Sequence, residues 1–172
     1  SADDFTIDSA VTTENGGNTL DGSDSINVTS TGSITVTTTA GISTTGGTNK
    51  VTVSGTVSTT RPNMNAILNV GNNNKTTVFG NAKIIASKKA GIEDRGDNNV
   101  TTLSGNASIE ITAAAGNGVG IDSNGNSNTI TLSDNEKITT AGTNAGIGIQ
   151  LSGATGNNIV TMSRNTEIST TG

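Results

Sequence analysis

Residues 120–138 read Gly-Ile-Asp-Ser-Asn-Gly-Asn-Ser-Asn-Thr-Ile-Thr-Leu-Ser-Asp-Asn-Glu-Lys-Ile. An isoleucine follows a small residue, and a glycine comes four positions later. One asparagine opens a short alternating stretch, a second closes it, and a further isoleucine ends the unit. The isoleucine recurs as Ile42, Ile67, Ile92, Ile121 and Ile149, and the glycine as Gly46, Gly71, Gly96, Gly125 and Gly153. The first asparagine recurs as Asn49, Asn74, Asn99, Asn128 and Asn158, with Asp24 ahead of them. The centre of the alternating stretch is Val28, Val53, Val78, Leu103, Leu132 and Met162, at spacings of 25, 25, 25, 29 and 30 residues. A fixed period of this length marks stacked structural units.

The unit has strand character. Val51-Thr52-Val53, Ile130-Thr131-Leu132 and Val160-Thr161-Met162 alternate apolar and polar residues, as a strand with one buried face does. Thr, Val and Ile suit a pleated sheet, and Gly and Asn between the strands supply the backbone angles that corners need. A 25-residue turn holds about three strands of roughly five residues each. Equivalent residues then stack about 4.8 Å apart, so six coils make a rod roughly 30 Å long. The expected fold is all-β: a right-handed parallel β-helix of about six coils, each of 25–30 residues. Residues 1–23 do not match the repeat and are expected to form an N-terminal cap; residues 24–172 carry the helix. The Asn column is expected to stack amide on amide, with Asp24, an acceptor only, at its end. Thr59 is assigned to the unit-ending isoleucine column. The insertions at 112–120 and 139–148 are assigned to corners. The chain stops at Gly172 without an apolar closing segment, as a piece of a longer rod would.

Composition narrows the chemistry. The 172 residues contain no Cys, His, Trp or Tyr, and the net charge is −5. The usual histidine triads, thiol nucleophiles and zinc sites are therefore excluded, and no cofactor is expected. Asp97 and Asp122, placed at corners of successive coils, are weak candidates for sugar cleavage by paired carboxylates. Asp21 and Asp24 are weak candidates for calcium. The negative charge argues against nucleic-acid binding, and no run reaches transmembrane length, so this segment is not expected to insert into a membrane. The charges are unevenly placed: residues 1–49 carry six acids and no base, and residues 50–89 carry Lys50, Arg61, Lys75, Lys83, Lys88 and Lys89 with no acid. Phe79 stands in a column otherwise Thr29, Ser54, Ser104, Ser133 and Ser163, so its ring is expected to point outward. These six basic residues and Phe79 are the candidate partner-binding residues.

The series Gly-Ile-x-x-x-Gly, then Asn-x-Ile-Thr-Leu-Ser-x-Asn, then Ile resembles the repeats of bacterial autotransporter passenger domains, which are exported by the type V route. Gly120 to Ile138 and Gly148 to Ile168 carry it best, and the likeness spans residues 24–172. Coil one lacks the Gly-Ile half. The resemblance implies secretion from, or display on, a Gram-negative bacterium, and a role as an adhesin or virulence factor. The main expectation is thus a noncatalytic secreted or surface β-helix that binds a host-cell receptor or a polyanionic glycan. Alternatives are an extracellular filament built by self-association through open coil ends, an ice-binding array along Thr52, Thr77, Thr102, Thr131 and Thr161, and a polysaccharide-cleaving enzyme.

Overall fold

The computed structural model describes residues 1–112, 117–141 and 145–171. All the strand pairs are parallel and belong to three sheets of seven, seven and five strands. The chain visits the first, second and third sheets in turn, and so winds as a β-solenoid of about six turns. Coil one comprises Ser25–Val28, Ser33–Val36 and Ile42–Thr44. Coil two comprises Lys50–Val53, Thr56–Thr59 and Ile67–Val70; coil three comprises Lys75–Val78, Lys83–Ala86 and Ala90–Arg95. Coil four comprises Val100–Leu103, Ser108–Ile111 and Asn117–Asn124; coil five comprises Thr129–Leu132, Lys137–Ala141 and Ala145–Ser152. Coil six contributes Ile159–Met162 and Glu167–Thr171.

The alternation read from the sequence decides which residues face inward. Val28, Val53, Val78, Leu103, Leu132 and Met162 are successive register partners and form one column. The first five are fully buried, whereas Met162, in the last coil, is 51 % exposed. Ile42, Ile67, Ile92, Ile121 and Ile149 form a second inward column. The core is thus a narrow stack of aliphatic side chains, each layer resting on the next, with no aromatic ring at its centre. At the third corner the chain turns so tightly that a Cβ on Gly96 or Gly125 would overlap the carbonyl oxygen of Gly71 or Gly96, and both glycines have positive φ.

Four expectations gain detail or need correction. The segment before residue 24 follows the coil plan: Asp4–Ile7 pairs in register with Ser25–Val28, and Ala10–Val11 with Ser33-Ile34. A 3-10 turn at Glu14–Gly17 replaces its third strand. Asn15 from that turn donates to the Ser43 carbonyl at 2.9 Å and accepts from the Ser43 N–H at 2.8 Å. Its side-chain amide thereby imitates a peptide group and satisfies the edge of the third sheet.

The asparagine column is a ladder of a different kind. The main-chain N–H of Asp24 donates to Asn49 Oδ1 at 3.1 Å, that of Asn49 to Asn74 at 2.9 Å, and that of Asn74 to Asn99 at 2.7 Å. Asn99 and Asn128 continue the series to Asn128 and Asn158. A side chain lying along the axis reaches the backbone of the adjacent coil more readily than its equivalent amide. Direct amide-to-amide contact occurs between Asn49 and Asn74 at 3.3 Å. Asp24 carries the ladder one step further, accepting from Asp3 N–H at 2.9 Å, and its other oxygen accepts from Asp21 and Gly22. These N–H donors hold its carboxyl below the usual carboxylate range, and they occupy the oxygens that a calcium ion would need.

The third correction concerns the insertions. Residues 117–120 and 145–148 are strand, and they lengthen the third sheet through the pairs Asn117↔Ala145 and Val119↔Ile147. Residues 113–116 and 142–144 lie outside the described residues. Asp122 is likewise within a strand, not at a corner.

The fourth is a register change. Val57, and not Thr59, pairs with Ile34 and Ile84; Thr59 pairs with Val36. In coils one, three, four, five and six, four residues separate the first-sheet strand from the second-sheet strand, as in Phe79–Ala82. In coil two only Ser54 and Gly55 do so. The next connection is longer, which restores the 25-residue period.

Candidate functional site

That shortened corner creates a concavity in the surface. The hydrogen bonds identify what is missing. Ser54 N–H bonds to Val28 O as Phe79 N–H does to Val53 O, so Ser54 and Phe79 are equivalent. Lys83 N–H bonds to Gly55 O as Ser108 N–H does to Ala82 O, so Gly55 and Ala82 are equivalent. Coil two therefore lacks the pair that appears as Ser30-Thr31, Gly80-Asn81, Gly105-Asn106, Asp134-Asn135 and Arg164-Asn165 in the other coils. Gly55 is required for the shortcut: a Cβ there would overlap the carbonyl oxygens of Thr29 and Gly32. Elsewhere these dipeptides form a continuous ridge. At coil two the ridge is interrupted, and the dipeptides on either side stand two strand spacings apart, about 10 Å.

The resulting hollow has a volume of about 470 Å³ and is lined by Ser30, Ser54, Gly55, Thr56, Phe79, Gly80, Asn81 and Lys83. That size lies within the range of small-ligand sites. Phe79 is 40 % exposed, a large apolar surface on an otherwise polar ridge. Lys83 also lines the hollow and makes no ion pair among the described residues. Hydroxyls come from Ser30, Ser54 and Thr56 and an amide from Asn81, so the lining combines one aromatic face, one cation and several short polar groups.

The basic residues named from the sequence divide among three corners. Phe79 and Lys83 meet at the hollow. Lys50 and Lys75 are register partners at the start of the first sheet. Arg61, Lys88 and Lys89 lie between the second and third sheets, where Arg61 donates to the Thr38 carbonyl. Lys89 is offset by Glu93 at 3.4 Å, an acid just outside the stretch that looked uniformly basic. The band is therefore three separate groups. Sequence reasoning missed Ser30, Ser54, Gly55, Thr56, Gly80 and Asn81. A signal was present, because coil two alone has no residue to fill the place of Asn81, Asn106, Asn135 and Asn165.

The carboxylates of the third sheet are differently engaged. Glu93 accepts from Arg95 Nε at 2.6 Å and from Asn65 Nδ2 at 2.6 Å. Burial pushes its carboxyl up, but Arg95, Asn65 and Lys89 outweigh burial and hold it below its ordinary range. Asp94 lies in the core, accepting from Asn69 Nδ2 at 2.8 Å and Thr101 Oγ1 at 2.6 Å. Burial pushes its carboxyl up, opposed by these two bonds. Asp122, beside Glu93 in register, is raised by burial and has one oxygen without a partner. Among the described residues no three His, Cys, Asp or Glu side chains are grouped to hold a metal ion, and no helix is long and apolar enough to cross a membrane.

Compared with known proteins, the chain matches no family model, no curated protein and no solved structure.

Proposed function

We propose that the chain is a noncatalytic β-helix, secreted or displayed at a cell surface, that binds a partner through the interrupted ridge at coil two. One observation carries the reading. The hollow beside Phe79 exists because a dipeptide present in the neighbouring coils is absent, and the one outward aromatic ring stands at its edge. Burial of an aromatic anchor in such a place is how a small contact supplies most of the binding energy. The repeat's likeness to autotransporter passengers supports display outside the cell and a role in adhesion or host-cell recognition. Of the three carboxylates on the third sheet, Glu93 and Asp94 are engaged within the fold: Glu93 is saturated by Arg95 and Asn65, and Asp94 faces the core.

The test is binding of fluorescently labelled protein to host cells. Phe79→Ser should lower the bound signal severalfold without changing the melting temperature. The pair Lys50→Ser and Lys75→Ser, on another corner, should change it little at physiological salt, where exposed charges are screened within about 8 Å. Equal binding by wild type and Phe79→Ser rejects the hollow as the contact site.

A further inference from the structure

Resting on that reading, we infer that the hollow at coil two takes one anionic sugar unit of a glycan chain. Three features of the lining select that chemistry. The exposed surface of Phe79 offers an apolar contact for the C–H face of a pyranose ring, because the ring is rigid and 40 % exposed. Ser30, Ser54 and Thr56 supply short hydroxyls that both donate and accept, which suits the alternating hydroxyls of a sugar. Ser54 Oγ already donates to the Val28 carbonyl at 3.4 Å, so its lone pairs face outward as acceptors. Asn81 Oδ1 is engaged weakly by Asn106 at 3.4 Å, which orients its amide nitrogen as a donor.

Lys83 decides the charge. It is exposed, and no carboxylate among the described residues pairs with it. Its register partners are Thr56 and Ser108, so nothing acidic precedes or follows it along its column in coils two to four. A carboxylate or sulfate on the sugar would gain a charge-assisted hydrogen bond there. The shape is consistent: a gap of about two strand spacings admits one ring, and the flanking dipeptides Ser30-Thr31 and Gly80-Asn81 leave the two ends open for the chain to continue. A nucleic acid fits less well, since one ammonium replaces the several needed to follow a phosphate backbone.

The test is NMR titration of the ¹⁵N-labelled chain with three probes: 3′-sialyllactose, lactose 6-sulfate and lactose. Either acidic sugar should shift the amides of Ser54–Thr56 and Phe79–Lys83 saturably, and the two arms separate carboxylated from sulfated glycans. Lactose should bind about tenfold more weakly, the loss expected for one hydrogen bond to a charged group. Phe79→Ala and Lys83→Gln should each weaken acidic-sugar binding by a similar factor, whereas Lys50→Ser with Lys75→Ser should not. Lactose binding as well as the acidic sugars, shifts confined to other corners, or indifference to both substitutions overturns the assignment. If no sugar binds while Phe79→Ser still reduces cell binding, the ligand class is wrong and the contact site stands. If cell binding is also unchanged, both fall.

Discussion

Val57 and Ile84 are register partners in adjacent coils, although they lie 27 residues apart in a stretch whose repeat is 25. The two extra residues are Gly80 and Asn81, and their absence from coil two opens the hollow. Inserting Gly-Asn between Ser54 and Gly55 should therefore rebuild the ridge and fill the hollow. The strands on either side keep their pairing, so the melting temperature should stay close to wild type. Partner binding should be lost to the same extent as in Phe79→Ser. An insertion variant that folds and binds normally would remove the hollow from the function.

Asp94 makes the stability of coil three depend on pH. Its carboxyl is raised in the folded protein because burial disfavours the charge. The folded state then holds the proton more tightly than the unfolded chain, whose aspartate pKa is about 3.9. The resulting stabilisation is full below that value and is lost as pH rises toward the folded pKa. Asp94→Asn keeps an acceptor for Asn69 and offers its amide to Thr101. It should melt higher than wild type at pH 7, with the difference shrinking toward pH 4. A variant that is less stable at pH 7 would show that the two hydrogen bonds outweigh the cost of burial.

Asn128→Ala tests the ladder. It removes the oxygen that accepts from Asn99 N–H at 2.7 Å and the amide that donates to Gly96 O at 3.0 Å. Both freed groups belong to the stack between coils. The expected cost is about 1–3 kcal/mol. Thermal melts should show a drop of roughly 2–4 °C for each kcal/mol at this chain length. A neutral result would mean that water replaces both bonds.

Leu103→Asp and Thr102→Asp test the two faces of one strand. Leu103 is fully buried in the central column, so an unpaired carboxylate there should cost several kcal/mol. Thr102 is half-buried on the outer face, between Thr77 and Thr131, and its replacement should cost about 1 kcal/mol or less. Circular dichroism melts that rank the two the other way would reverse the assignment of the faces.

The sequence alone determined the period, the strand faces and the columns. Stacking places residue i against its equivalent one coil later, so a repeat in the text is a contact in space. That is why the Val28-to-Met162 and Ile42-to-Ile149 columns could be read directly. The Asn column was equally legible as a column, but its hydrogen bonds were not, because the period does not say whether an amide meets another amide or a main-chain N–H.

The tertiary structure alone decided what happens at the corners. A coil's total length is the sum of its three connections, so the two residues missing after Ser54 and the two gained before Ile67 cancel, and the period stays at 25. Inward packing then seats Val57 beneath Ile34, because the aliphatic column must be filled, and Thr59 moves along. The charges behave similarly. Residues 50–89 are uniformly basic in the text, yet a chain that turns every few residues distributes them over three corners, and only Lys83 lines the same hollow as Phe79. Neighbours along the sequence share a patch only where they share a corner, and corner assignment depends on the register that packing selects.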